Sequence, residues 1–287
     1  MESQILTLSG VTKRLENFSL KNLSFSFPCG YIIGLIGTNG SGKTTLLHLL
    51  SGLYRQDEGS VQINGKSYPQ DEKTLHDELG FVFQEQLFDR HKTLSENAGF
   101  YGKYYSSYSQ SEFLSYCRDF ELQTESRYRT LSKGEELKFQ FAFALAHHPN
   151  LLLLDEPTAN FDPQFRSRFL KCLKDFISDG KHSIVLATHL TADLDRIADY
   201  LLFLENGRIL LADDMESIRE KYRIVTGESY KIKLLPAELV IHTQAGEFGA
   251  RAIVRHRHWL KYDKELAVAL PTVEDLMYFF TKRRHKK

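Results

Sequence analysis

The residues Gly37-Thr38-Asn39-Gly40-Ser41-Gly42-Lys43-Thr44 fit the spacing G-x-x-x-x-G-K-[ST], the pattern of a loop built to hold phosphate. Glycine at 37, 40 and 42 lets the backbone turn tightly enough for several amide N–H groups to converge on phosphate oxygens. Thr38, Asn39 and Ser41 complete the loop, and the helix expected to open through Thr45 adds the positive end of its dipole. Lys43 supplies charge for β- and γ-phosphates, and the Thr44 hydroxyl is a hard ligand suited to Mg²⁺. A second cluster follows the apolar quartet Leu151–Leu154: Asp155 can hold the water shell of Mg²⁺, and Glu156 can polarise an attacking water as general base.

These groups need rigid elements to position them, and the hydrophobic pattern supplies candidates. Strand-like segments cover Ile5–Leu8, Leu20–Phe27 and Tyr31–Ile36, the last apolar and ending in glycine as a buried parallel strand does. Leu46, Leu47, Leu49 and Leu50 give the following helix an inward face, and Gly59–Asn64 reads as a strand entering an Asn-Gly turn. Leu151–Leu154 and Ile184–Ala187 are two further buried strands with a helix rich in Phe and Arg between them, which makes βαβ units. From residue 87 to about 140 the texture is helical, with Phe100, Tyr101, Tyr104, Tyr105, Tyr108, Phe113 and Tyr116 recurring near helical spacing and read as core packing. After residue 212 come a short helix (Met215–Tyr222), alternating segments at Tyr230–Leu234, Ala252–Arg257 and Leu266–Leu270, and a last helix from Pro271 through Phe280. The expected organisation is therefore 1–212 as the nucleotide-binding domain and 213–287 as a small α+β accessory domain.

Bulk properties bound the partners. The 287 residues are 42% hydrophobic and 26% charged, with 37 Lys+Arg against 37 Asp+Glu. Zero net charge argues against a broad basic nucleic-acid surface. No apolar run approaches the roughly 18 residues that span a bilayer, and MESQILTLSG lacks the pattern of a signal peptide. Cys29, Cys117 and Cys172 have no metal-ligand spacing and read as reduced, space-filling thiols. The expectation is a cytosolic chain.

With these motifs in order, the sequence resembles an ABC-type ATPase over about residues 4–212. Gln84, in Gly-Phe-Val-Phe-Gln, matches the Q-loop glutamine; Leu131-Ser132-Lys133-Gly134-Glu135 resembles the LSGGQ signature; Ala159-Asn160-Phe161-Asp162 resembles the D-loop; and His189 matches the switch histidine. The resemblance implies a P-loop NTPase core with an antiparallel β subdomain and a helical signature subdomain. It also implies ATP and Mg²⁺ as cofactors, with Gln84 joining Thr44 and Asp155 at the metal and His189 joining Glu156 in catalysis. Ser132 and Gly134 would contact the γ-phosphate held by a second nucleotide-binding domain, in a homodimer or heterodimer. A separate transmembrane permease would hold the chain on the inner face of the membrane, its coupling helix received just after Gln84.

Two signature positions depart from the family pattern. Lys133 replaces a glycine, as in exporter ATPases of the bacitracin, lantibiotic and multidrug type, and Glu135 replaces a glutamine. A carboxylate at 135 would repel the opposite phosphate if it pointed inward. The adenine contact is either Leu15 or Phe18. Pro271-Thr272-Val273-Glu274-Asp275-Leu276-Met277 resembles a tail of those exporters. The basic run Lys282–Lys287 is either a solvated tail or a contact for anionic lipid or an acidic loop, and His256 and His258 are read as facing water on a strand. Two rival classes are a soluble ABC ATPase acting on nucleic acid or ribosomes and a catalytically weak regulatory subunit. The first is opposed by the neutral charge and by the absence of a tandem second domain or long heptad region; the second by the presence of both acids and the histidine.

Overall fold

Strands that are apolar at every position are covered on both faces, and the computed structural model shows how. It describes residues 3–85, 87–246, 249–257, 260 and 265–282. In chain order, β1 (Gln4–Arg14) and β2 (Ser19–Pro28) pair as a hairpin, and β3 (Ile32–Ile36) runs through the glycine loop into α1 (Lys43–Leu50). β4 (Glu58–Ile63) returns to β1, and α2 (Glu72–Glu78) leads into β5 (Leu79–Val82). The helices α3 (Leu94–Tyr101), α4 (Gln110–Asp119) and α5 (Lys133–Leu145) precede β6 (Leu151–Asp155). Then follow α6 (Pro163–Ile177), β7 (Ser183–Ala187), α7 (Thr191–Ile197), β8 (Tyr200–Glu205) and β9 (Arg208–Asp214). The remainder comprises α8 (Met215–Lys221), β10 (Tyr222–Gly227), α9 (Ser229–Leu234), β11 (Val240–Gly246), β12 (Gly249–Arg255), β13 (Ala267–Ala269) and α10 (Val273–Lys282).

The central six-stranded sheet has the order β5-β6-β7-β3-β8-β9, parallel except for its antiparallel edge strand β9. Its side chains alternate between two cores, as a period of two demands. Ile33, Leu35, Leu151, Leu153 and Val185 face a core shared with α1 and the antiparallel β2-β1-β4 sheet. Ile32, Ile36, Leu152, Leu154, Ile184 and Leu186 face the other core, shared with α5, α6 and α10. Truncating a fully buried leucine such as Leu152 to alanine costs about 2–5 kcal/mol, which makes this double cover the main support of the site above it.

Several expectations need correcting. Tyr230–Leu234, read as a strand, lies in helix α9. Its turn closes when Lys231 and Ile232 donate N–H bonds to Glu228 O, and only Ile232 and Leu235 bury, at the three-residue spacing of one helix face. In so short a segment the alternating pattern did not separate the two periods. The signature helix α5 runs to Leu145, and Phe141 to Leu145 are buried in the core. β9 closes the central sheet, with Asp214 paired to Tyr200. The aromatic stripe divides: Phe113 is fully buried, whereas Phe100 and Tyr104 are exposed. His256 follows the end of β12, while His258 and residues 283–287 lie outside the described residues.

Beyond β9, the strands β11-β12-β10-β13 form a separate antiparallel sheet over a small core that includes Val225, Ile232, Ala252 and Leu260. The other face joins the main core through Ile218, Ile224, Ile253, Val273, Leu276 and Phe279. α10 docks on α7, where the Val273 N–H donates to Asp195 Oδ1 at 2.9 Å, and on β12, where Arg251 pairs with Asp275 at 2.7 Å.

Candidate nucleotide-binding site

The C-terminal ends of β3, β6 and β7 lie side by side, with Leu35 and Asp155 both in register with Ala187. Parallel strands thus deliver the glycine loop, the acidic pair and His189 to one edge of the sheet, where open α/β sheets bind ligands. The resulting cleft, of about 680 Å³, is lined by residues 39–45 of the loop, by Gln84, Glu85, Asp155 and Glu156, and by Leu15, Asn17 and Phe18. Both candidate adenine contacts therefore line it. The β1–β2 turn holds them there, through a 2.7 Å bond from Leu15 N–H to Phe18 O.

Two glycines fit for separate reasons. Gly42 has φ 110°, a left-handed backbone that side chains rarely adopt. At Gly37 a Cβ would lie 2.2 Å from Leu204 O, so the loop passes too close to β8 for any side chain. Gly42 caps α1 and has no side chain with which to close the N-terminus of that helix. Lys43 Nζ donates to Gly37 O at 2.9 Å and Thr38 O at 3.3 Å, folding over the loop. Buried Ser41 has no hydrogen-bond partner for its hydroxyl among the described residues. Thr38 is held by Glu205, at the end of the apolar strand β8, through a 2.8 Å bond. Sequence reading missed Glu205 and also Asn17 and Glu85; only Glu205 carried a signal, an acid ending an apolar strand as Asp155 does.

Thr44 and Asp155 meet: the Thr44 hydroxyl donates to Asp155 Oδ2 at 2.7 Å. Burial pushes the Asp155 carboxyl above the usual aspartate range, the Thr44 bond opposes this, and the nearby Glu156 and Glu85 carboxylates add to it. Glu156 sits at φ 50°, a strained conformation for a non-glycine residue and one that functional sites retain. Its Oε2 accepts from His189 Nδ1 at 2.7 Å and from the His189 backbone N–H at 3.1 Å. Since a carboxylate only accepts, His189 carries its proton on Nδ1 in this contact. Gln84 Nε2 donates to the Glu156 carbonyl at 3.0 Å, so its amide oxygen is the atom with ligand chemistry.

Beneath this layer lies a tie that the sequence did not reveal. Asp193 on α7 is almost wholly buried and accepts from Thr158 Oγ1 at 3.0 Å and from Arg166 Nε and Nη2 at 2.9 and 2.8 Å. It links the loop after Glu156 to the helix after His189. Asp162 caps α6 by accepting from Phe165 N–H, with Pro163 in the first turn.

Ser132 and Gly134 are not among the residues lining the cleft. Ser132 caps α5 in a closed capping box: its hydroxyl and its N–H donate to Glu135 Oε2 at 2.7 and 2.8 Å. The same bonds, led by that from the Ser132 hydroxyl, hold the Glu135 carboxyl below its usual range. Gly134 packs on the D-loop, where a Cβ would stand 2.8 Å from Asn160 O.

The chain is similar to proteins already described. The family model for ABC transporters matches residues 20–159. A tungstate uptake system ATP-binding protein of Peptoclostridium acidaminophilum is 32% identical over 213 residues, covering 72% of this chain and 98% of that protein. The chain belongs to the ABC transporter family. The Nod factor export ATP-binding protein I of Ralstonia nicotianae is 33% identical over 71% of this chain; the match spans 65% of that relative's length, under two thirds of it. A solved ATP-binding subunit of an ABC transporter superposes on the ABC-type fold with a TM-score of 0.69 at 25% identity, covering 75% of this chain and 92% of the other.

Proposed function

We propose that the chain is the ATP-hydrolysing motor of a membrane transporter, with 1–212 as the motor domain and 213–287 as an accessory domain. The observation that carries this reading is the pairing of Thr44 with Asp155 in the same cleft where His189 grips Glu156. Phosphates would lie on the amides of residues 39–45, with Lys43 turning from the loop carbonyls to the β- and γ-oxygens. Thr44, Asp155 and Gln84 offer hydroxyl, carboxylate and amide oxygens, a hard donor set that fits Mg²⁺. Such an ion would take its other ligands from phosphate and water. Bound there, Mg²⁺ would neutralise charge on the phosphates. Glu156 keeps acceptor capacity on Oε1 for the attacking water, while His189 fixes the carboxylate through Oε2.

In this reading two such domains, identical or different, close head to tail, so that Ser132 and Gly134 of one face the γ-phosphate on the other. Among the described residues no helix is long and apolar enough to cross a membrane, and the membrane path is assigned to a separate permease. A groove of about 320 Å³ just after Gln84, lined by residues including Phe81, Leu87, Phe88, Tyr101 and Tyr104, is suited to its coupling helix. The chain would then lie on the inner face of the membrane. Lys133 and the Pro271–Met277 tail favour export, although the relatives include both an exporter and an uptake protein.

The test is Glu156→Gln, nearly isosteric but unable to accept the water's proton. ATP affinity should persist while turnover falls about a hundredfold to ten-thousandfold. Turnover within about threefold of the unmodified chain would assign the base elsewhere.

A further inference from the structure

We propose that Lys133 is a positioning residue that ties the signature helix to the Q-loop of its own chain, so that movement of the signature at one ATP site is felt by Glu156 at the other. This rests on the head-to-tail reading above and adds a physical connection between the two sites.

Lys133 occupies the first turn of α5, where the positive end of the helix dipole disfavours a cation. Its placement there needs compensation, and two acceptors provide it. Lys133 Nζ donates to the Gln84 carbonyl at 2.6 Å and to Glu136 Oε2 at 3.1 Å. The first bond is short and charge-assisted, and it spans 49 positions of sequence to join two motifs. A glycine at 133 would have no group to make it.

From Gln84 the path continues without a gap. Its side-chain Nε2 donates to the Glu156 carbonyl at 3.0 Å, and Glu156 Oε2 accepts from His189 Nδ1 at 2.7 Å. Glu156 is held in a left-handed conformation, so a small displacement of its backbone re-aims the carboxylate. Ser132, immediately before Lys133, is the residue expected to meet the opposite phosphate. A shift of the N-terminus of α5 on that contact therefore pulls on Gln84 O and, through the Gln84 side chain, on Glu156. Lys133 is not among the residues lining the nucleotide cleft of its own chain; it acts there through Gln84.

The experiment compares Lys133→Met and Lys133→Arg in the full chain. In the nucleotide-free protein, hydrogen exchange of residues 82–85 should speed up about fivefold in Lys133→Met, as expected for loss of a bond to a charged group that is partly exposed. Thermal stability should not fall, because the substitution also removes an unfavourable charge from the helix N-terminus. In steady-state ATPase assays, kcat should fall roughly tenfold at unchanged KM for ATP, since only the aim of Glu156 is disturbed. Lys133→Arg, which can donate to the same carbonyl, should recover most of both effects. Unchanged exchange at 82–85 would overturn the proposal. So would a raised KM with unaltered kcat, which would make Lys133 a nucleotide contact instead. Should the unmodified chain show no turnover dependent on Glu156, the functional reading fails, and the exchange measurement still decides whether the tie exists.

Discussion

The two helix N-termini of the proposed ATP sites, those of α1 and α5, begin from the same physics and are left in opposite states. α1 follows Gly42, which offers no capping side chain, so the cap residue leaves the first amides of the helix open. α5 follows Ser132, whose hydroxyl and N–H are both engaged by Glu135. The first is preorganised for an anion supplied from outside, whereas the second already holds one of its own. A phosphate arriving at Ser132 must displace or outlast the Glu135 carboxylate, so the signature half of the site is the half that must rearrange. In a glutamine-bearing signature the same box could close with a neutral amide. The departure at position 135 therefore changes charge while keeping the cap.

The largest expected effect removes the open end. Lys43→Ala should weaken MgATP binding by about a hundredfold or more, measured by titration calorimetry, with little change in melting temperature, because among the described residues Lys43 bonds loop carbonyls alone. Near-normal affinity would break the comparison at its firmer side. Next, Ser132→Arg should leave ATP binding to the isolated chain intact and reduce hydrolysis about a hundredfold or more, since the block lies at the opposite site. Mixing Ser132→Arg with Lys43→Ala chains should restore part of the activity, because one of the two sites in the mixed dimer then has an intact loop facing an intact signature. Loss of ATP affinity in the Ser132→Arg monomer would refute the trans role.

A smaller effect sharpens the difference between the helices. Glu135→Gln retains the hydrogen bonds to Ser132 but removes a negative charge beside the incoming phosphate. Turnover should rise about fivefold, the scale of one exposed charge pair. A fall in kcat would mean that the carboxylate turns away from the phosphate in the closed dimer.

The smallest effect concerns the buried acid at the open site. Asp155 has its carboxyl pushed up by burial, so above its folded pKa the ionised form is disfavoured in the folded state relative to the unfolded chain. Asp155→Asn should therefore raise the melting temperature of the nucleotide-free chain by a few degrees at neutral and mildly alkaline pH. The gain should shrink as pH falls through the folded pKa, where the wild-type carboxyl becomes neutral. The same variant should lose the Mg²⁺ dependence of nucleotide binding. A melting temperature lowered at neutral pH would show that the Thr44 bond outweighs desolvation.

What could be read from the chain alone was local. The phosphate loop, the apolar strand before it and the helix after it lie within a few residues of one another, so spacing and periodicity were enough to find them. Asp155 and Glu156 follow their strand directly, and Leu151–Leu154 carried the mark of a strand covered on both faces. Tertiary structure supplied the contacts behind the groupings that the family resemblance implied, and alone revealed the tie of Arg166 to Asp193. Thr44 meets Asp155 across 111 positions, Glu156 meets His189 across 33, and Arg166 reaches Asp193 across 27. These contacts depend on the order β6-β7-β3, which places three strand ends side by side and which no local pattern encodes. The direction of Glu135 was open in the sequence for a related reason. Its composition and spacing permit either a phosphate-facing carboxylate or a capping box, and only the backbone geometry at Ser132 selects the box. Tyr230–Leu234 went the same way, its few residues too short to separate two periods until packing of Ile232 and Leu235 chose the helix.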